Sequence, residues 1–344
     1  MTSHRECCRQ LRIIADNNIP FLEGRLEKVA DVIYVDQFGF TPELVKDADA
    51  LIIRTRTRCD EALLKGSSVK LVATATIGMD QIDVEWCRNN GIIVANSPGC
   101  NAPGVAQYVW SSLLRSGFDP KRHTLGIVGC GNVGGIVAEW GKMMGCRILV
   151  NDPPREEAGM TDREYVALEK LLHESDAVTL HTPLVKGGDH PTFHLIGKKE
   201  LAEMPDGSLL VNAARGAVID TDALIDELTT SRLSAVIDTW EGEPALNTKL
   251  LDLVDIGTFH IAGYSFEGKQ RATRMVLEAV ERTFGVEVDK TGLTPAYQMP
   301  HAISEKIILD SYNPVDDTLP LKEAPSQFDI LRKNYNYRHE PDVR

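Results

Sequence analysis

Arg215, Glu243 and His260 supply a guanidinium, a carboxylate and an imidazole downstream of a glycine-rich turn at Gly129, Gly131 and Gly134. Such a set suits one reaction well: moving a hydride between a nicotinamide and the carbon that carries the hydroxyl of a 2-hydroxy acid. Arg215 stands in Asn212-Ala213-Ala214-Arg215-Gly216, after an apolar run. At the carboxyl end of a parallel strand it would point into the ligand crevice. Its planar fork can hold a substrate carboxylate bidentately, which a lysine does poorly. His260 ends the run Ile256–His260, and an imidazole titrates near working pH, as a proton acceptor for the hydroxyl should. A neighbouring carboxylate would orient that ring and stabilise the imidazolium. Glu241 and Glu243, both in Asp238-Thr239-Trp240-Glu241-Gly242-Glu243-Pro244, are equally placed to provide it. Asp238, at a strand end, is placed to reach a nicotinamide carboxamide.

The turn itself reads Leu125-Gly126-Ile127-Val128-Gly129-Cys130-Gly131-Asn132-Val133-Gly134, an apolar strand running into Gly-x-Gly-x-x-Gly. The glycines allow a tight bend, close approach to a pyrophosphate and close helix–strand packing, and the first amides of the helix face the anion. A helix is predicted over Ile136–Met144 and a second strand ending at Asp152. Asp152 comes 18 residues after Gly134, close to the ~20 expected of the acid that binds the adenosine ribose. That acid disfavours an extra phosphate, so NAD is expected over NADP, although Arg155 lies close by.

These groups need a scaffold, and the pattern supplies an α/β one. Short β-branched runs alternate with helical stretches, as in parallel sheets with crossover helices. Strands are predicted at Leu11–Asp16, Val32–Asp36, Ala50–Thr55, Leu71–Thr76 and Ile92–Ser97, with helices between them. A second set follows at Thr124–Gly129, Arg147–Asp152, Ala177–His181, Ser208–Asn212, Leu233–Asp238 and Ile256–His260. Two doubly wound parallel-sheet domains follow from this. The helix Pro103–Arg115 and the helix Phe266–Phe284 would join them, the latter through a face of Met275, Val276, Ala279, Val280 and Thr283. A cleft with a double hinge is the expected result. Beyond Phe284 the chain is polar and broken by Pro295, Pro300, Pro314, Pro320 and Pro325, until Phe328, Leu331 and Tyr335 recur at helical spacing. That end reads as a small accessory or dimerisation element.

Composition narrows the partners. The 344 residues suffice for two domains, and the net charge of −13 repels nucleic acid and anionic membranes. An anionic substrate would need a local positive site, for which Arg54, Arg56 and Arg58 are candidates. No apolar run approaches the roughly 20 residues of a membrane span. The polar N-terminus is unlike a signal peptide. Seven scattered cysteines suit a reducing cytoplasm. Adjacent Cys7 and Cys8 lack companion ligands, and no metal site is expected.

The chain resembles the D-2-hydroxyacid dehydrogenases over about residues 11–284. The resemblance is carried by the Gly129 turn, His181-Thr182-Pro183-Leu184, the Arg215 strand, the Glu243 loop and His260-Ile261-Ala262-Gly263. It implies a flavodoxin-like substrate domain (1–101 and 265–284), a Rossmann NAD domain (102–264) and catalysis by Arg215, Glu243 and His260, favouring Glu243 over Glu241. Finer motifs resemble one branch of the family. They include Thr74–Asp80, Ser97–Ala102, Asn151–Pro154, Trp240–Pro244, His260–Lys269 and Phe328–Tyr335. This likeness implies NAD-dependent oxidation of a small phosphorylated 2-hydroxy acid, 4-phospho-D-erythronate, in vitamin B6 biosynthesis. It also implies a homodimer built on a shortened C-terminal region, 285–344. Other 2-hydroxy acids such as 3-phosphoglycerate, and a non-catalytic NAD(H)-sensing corepressor-like protein, are the alternatives. By the same resemblance Gly129, Gly131, Asn132, Val133, Gly134, Asp152, Thr182, Ala213, Asp238 and Gly263 would contact NAD. Arg54, Thr55, Arg56, Thr76 and Tyr264 would contact substrate. Where the family pattern has Arg-Ser-x-Thr-Lys, this chain has Arg54-Thr55-Arg56-Thr57-Arg58. The extra arginine fits a phosphate and equally fits a solvated loop.

Overall fold

The computed structural model describes residues 10–342, so Cys7, Cys8 and the polar N-terminus lie outside the described residues. The chain divides into two compact units. One holds the chain up to Asn101 with Glu267–Tyr297; the other holds Ala102–Phe266 with the chain from Gln298 onward.

The first unit is a five-stranded sheet of β1 (Leu11–Asp16), β2 (Ala30–Val35), β3 (Ala50–Ile53), β4 (Leu71–Thr74) and β5 (Ile93–Ala95). All pairings are parallel and the order is β2-β1-β3-β4-β5, the flavodoxin-like order with its switch point between β1 and β3. Side chains alternate across the sheet. Ile13 and Ala15 enter one apolar cluster, while Ile14 enters the other. The helix Phe266–Phe284 covers the first face with Val276, Leu277, Ala279 and Val280. Its buried stripe also takes in Ala272 and Thr273, whereas Met275 and Thr283 of the predicted face are only half-buried. The expected helix between β1 and β2 is not formed. Residues 17–29 cross in turns and bury Ile19, Leu22 and Leu26.

The second unit is a six-stranded parallel sheet of β6 (Thr124–Val128), β7 (Arg147–Asn151), β8 (Ala177–Leu180), β9 (Leu209–Asn212), β10 (Ser234–Ile237) and β11 (Ile256–Gly257). Its order is β11-β10-β9-β8-β6-β7, so the connections reverse between β6 and β8. β6, β8 and β9 are buried at every residue, as expected where helices cover both faces of a parallel sheet. The helix Ala102–Arg115 is buried from Ala102 to Leu113. Its Trp110 indole donates to the Val137 carbonyl at 3.0 Å, and Gly141 makes room for the ring. β11 is shorter than predicted because the chain bends away at His260, whose φ is +59°.

The proline-rich end is more ordered than its composition suggests. Helices form at Glu305–Ser311, Val315–Glu323 and Phe328–Lys333. Pro314 caps one helix and Pro325 opens the short turn before another, positions where a missing N–H is tolerated. Leu321 and Phe328 enter the core of the second unit, with Leu331 and Tyr335 packed against it. The last helix stops at Lys333, short of Tyr335, the last residue of the predicted spacing.

Candidate active site

The reversal between β6 and β8 places the glycine turn where ligands bind in such sheets. The helix after it begins at Asn132, earlier than predicted, with Gly131 as its N-cap and no side chain capping it. Asn132 and Val133 therefore form the first turn, where unpaired amides attract an anion. Gly129 has φ +86°, and a Cβ there would lie 2.9 Å from the His181 carbonyl carbon. At Gly134 a Cβ would lie 2.1 Å from the Gly129 carbonyl oxygen, so only glycine keeps the turn closed. Gly131 has open space where a side chain would stand. Thr182, just past β8, has a buried hydroxyl without a hydrogen-bond partner. An open cradle, free-facing amides and an orphaned hydroxyl fit a dinucleotide. Asp152 follows β7 and accepts the Cys130 amide at 2.7 Å. It also caps the helix Pro153–Glu157 through the Arg155 amide.

The loops beyond β9, β10 and β11 bring the polar residues together. His260 Nδ1 lies 2.5 Å from Glu243 Oε1, and Glu243 Oε2 accepts the Trp240 amide at 3.1 Å. A carboxylate can only accept, so Nδ1 carries a proton toward Glu243, and in the neutral form of the ring Nε2 is the nitrogen with the lone pair. Burial alone would raise the Glu243 carboxyl. The His260 hydrogen bond and charge, the Trp240 amide and the Arg332 charge outweigh it and hold Glu243 below the usual range. Glu241 is committed elsewhere: it pairs with His194 at 2.8 Å and accepts the Thr221 hydroxyl at 2.9 Å. The two glutamates that sequence leaves level are thus separated by their partners.

Asp238 is almost wholly buried and accepts the Thr258 hydroxyl at 2.6 Å and the Ile261 and Ala262 amides at 2.8 and 2.9 Å. These three bonds hold the His260 loop and leave one of the carboxylate's roughly four acceptor sites open. That support matters because a left-handed φ at histidine costs of order 1–3 kcal/mol. Gly263 lies in the next turn, where the Tyr264 amide donates to the Ile261 carbonyl at 2.8 Å. The Tyr264 ring meets Tyr335, Tyr337 and the Arg332 guanidinium.

Half-buried Ala213 directly follows β9, and Arg215, two residues further on, donates to the Ala214 carbonyl at 2.8 Å. The Asn212 side chain holds the Arg215 carbonyl at 3.0 Å. Gly216 then presses this turn directly onto the Trp240–Glu241 backbone. Trp240 is a site residue the sequence reading missed: its indole donates to the Thr258 carbonyl at 2.7 Å, joining the loops after β9, β10 and β11. Arg332 and Arg338, from the chain's end, were also missed. Neither belongs to a spacing pattern.

In the first unit Arg54 and Thr55 follow β3, and Thr76 follows β4. Arg54 donates to the Asn18 carbonyl at 2.9 Å, across the β1/β3 switch point. Gln81 ties the ends of β3 and β4 by donating to the Arg54 carbonyl at 2.9 Å. Thr76 bonds the Thr74 hydroxyl and the Gly78 carbonyl. Arg56 is exposed, and Arg58 is paired with Asp60 at 2.6 Å. Glu169, His173 and Glu203 gather on the surface within 4.8 Å, an arrangement common without an ion.

A Rossmann sheet whose strand-end loops carry a paired imidazole and carboxylate beside an arginine defines a nicotinamide-dependent hydroxy-acid dehydrogenase, and the chain belongs to the D-isomer-specific 2-hydroxyacid dehydrogenase family. Residues 103–262 match that family's NAD-binding domain. An erythronate-4-phosphate dehydrogenase of Bacteroides fragilis is 46% identical over 340 residues, 96% of this chain and 97% of its own. Its counterpart in Porphyromonas gingivalis is 40% identical over 346 residues, 96% of this chain and 94% of its own. Among solved structures, NAD-bound 3-phosphoglycerate dehydrogenase of Entamoeba histolytica is 27% identical with a TM-score of 0.67, covering 84% of this chain and 100% of that one. D-lactate dehydrogenase of Aquifex aeolicus, at 24% and 0.65, covers 83% and 100% and shares the fold. No helix among the described residues is long and apolar enough to cross a membrane.

Proposed function

We propose that the protein oxidises 4-phospho-D-erythronate at C2, giving (R)-3-hydroxy-2-oxo-4-phosphooxybutanoate for pyridoxal 5'-phosphate biosynthesis. The observation that carries the chemistry is the 2.5 Å pair of His260 and Glu243. NAD, when bound, supplies the hydride acceptor; Gly129, Gly131, Asn132, Val133, Gly134, Asp152, Thr182, Ala213, Asp238 and Gly263 would hold it. Arg215 grips the substrate carboxylate. His260 takes the hydroxyl proton at Nε2 while Glu243 keeps the ring oriented and stabilises its charge. A base of this kind contributes roughly 10²–10⁴ in rate.

The choice of acid is supported by 46% identity to a relative of that name across 96% of the chain. Arg54 and Arg56, with Thr55, Thr76 and Tyr264, would bind the phosphorylated substrate. Arg58 is left out because Asp60 already holds it. A homodimer through the C-terminal helices is supported by exposed Val315, Leu319 and Ile330. A cytoplasmic location is supported by Cys59, Cys87, Cys130 and Cys146, buried thiols outside any disulfide among the described residues.

The test is NADH formation from NAD with 4-phospho-D-erythronate, 3-phosphoglycerate or D-lactate, with a 2-oxo acid supplied in parallel to reoxidise tightly held NADH. A strong preference for phosphoerythronate is expected. Preference for another acid discards the substrate and keeps the mechanism. NADH binding without turnover on any acid would leave a nicotinamide sensor.

A further inference from the structure

The two residues after His260, Ile261 and Ala262, are each held at both their N–H and their C=O. Asp238 accepts their amides, Ile261 at 2.8 Å and Ala262 at 2.9 Å. Arg338 donates to the carbonyls of the same two residues: Nη1 to Ile261 at 2.9 Å and Nη2 to Ala262. Its other N–H groups are also engaged. Nε reaches Gln107 at 2.9 Å, Nη2 the Gly104 carbonyl at 3.0 Å, and Nη1 the Tyr264 carbonyl and Tyr335 hydroxyl at 3.4 Å. The guanidinium is stacked 4.2 Å from the Tyr312 ring, whose hydroxyl donates to Asp317 at 2.7 Å.

In the Ile261–Ala262 peptide the carboxylate at the N–H and the guanidinium at the C=O polarise the group in the same sense, so each bond strengthens the other. The grip falls on the residues immediately after His260, whose backbone is in the left-handed region. We infer that Arg338 is a positioning residue for the reaction: it holds the His260 loop against Asp238 so that the imidazole stays beside Glu243. A fork with five donors can satisfy this ring of carbonyls, whereas a lysine has three donors and no plane. The inference rests on His260 being the base, so its test includes that residue.

Arg338→Lys and Arg338→Met are made alone and combined with His260→Ala. Turnover is measured with whichever acid of the panel above is oxidised fastest, and NADH binding by fluorescence titration. Each single variant is expected to lose about tenfold or more in kcat with KM for NAD and NADH affinity held within about twofold. Added to His260→Ala, neither should lower the residual rate further, because residues that act as a unit are not additive. Arg338→Lys carries the test if the methionine variant does not fold. Unchanged kcat in it, or the same proportional loss in both backgrounds, overturns the inference while leaving the function standing. A normal rate in His260→Ala alone overturns the assignment of the base, and this inference with it.

Discussion

Gly216 lies so close to Trp240 that a Cβ on it would stand 2.0 Å from the Trp240 carbonyl carbon and 2.2 Å from the Glu241 nitrogen. The turn that carries Arg215 and the loop that carries Glu243 are therefore in backbone contact, with no side chain between them to absorb a change. Gly216→Ala must part the two segments. It should destabilise the fold by about 1–3 kcal/mol, as overpacking does, and lower kcat along with it. A variant that melts like the parent and turns over at the parent's rate would show that this contact does not set the spacing of Arg215 and Glu243.

Glu243→Gln keeps the shape of the pair and removes its charge. Turnover should fall by about 10²–10⁴, the range for disabled acid–base catalysis. The native carboxyl is held below its ordinary value, so the stability it contributes is complete above the unfolded value of about 4.3. It is lost as pH falls through the lower native value. Melting curves between pH 7 and pH 3 should therefore drop less steeply for Glu243→Gln than for the parent. Equal slopes would count against a charged pair.

His181 adds to the same acid sensitivity from another direction. Burial holds its imidazole down at about 3, so the native ring is neutral wherever the enzyme works. The unfolded ring takes up a proton near 6.5, and stability is lost as pH falls below that point. The ring signals in an NMR titration should stay fixed between pH 8 and pH 5. Movement in that window would show that the ring takes up a proton in the folded protein.

Asp152 should exclude the extra phosphate of NADP by charge. Asp152→Ser is expected to weaken NAD binding, through loss of the Cys130 contact, and to raise the relative efficiency with NADP by about tenfold or more. Parent protein that binds NADP as tightly as NAD would remove this role, and Arg155 would then be the residue to examine.

Arg54→Ala or Arg56→Ala should raise the Michaelis constant for the phosphorylated acid by about tenfold or more, the loss of one charged contact. An unphosphorylated 2-hydroxy acid should be affected much less. An equal rise for both acids would mean that the arginines do not read the phosphate.

The strands were readable because each is a short, largely apolar run, the central ones covered on both faces, and β1 forms at the predicted Leu11–Asp16. β11 was over-extended because nothing local marks the turn at His260; its left-handed backbone is held by Asp238 and by more distant groups. Glu241 and Glu243 are identical in type and two residues apart, so only the partners His194 and His260 tell them apart. The C-terminal helices are short and contain or adjoin prolines, which reads as punctuation until tertiary packing supplies Leu321 and Phe328 with a core. Arg338 left no trace because its partners are mostly backbone carbonyls, which have no sequence identity.

Arg338 also follows Ile261 by 77 residues. A chain emerging from the ribosome with its N-terminus first can therefore build the dinucleotide turn and both sheets before the arginine exists. At that stage the histidine loop has its Asp238 anchor and lacks its Arg338 one. Translation past Arg338 supplies the second anchor, so the carboxylate and the guanidinium that fix the histidine loop enter the chain a hundred residues apart, the carboxylate first.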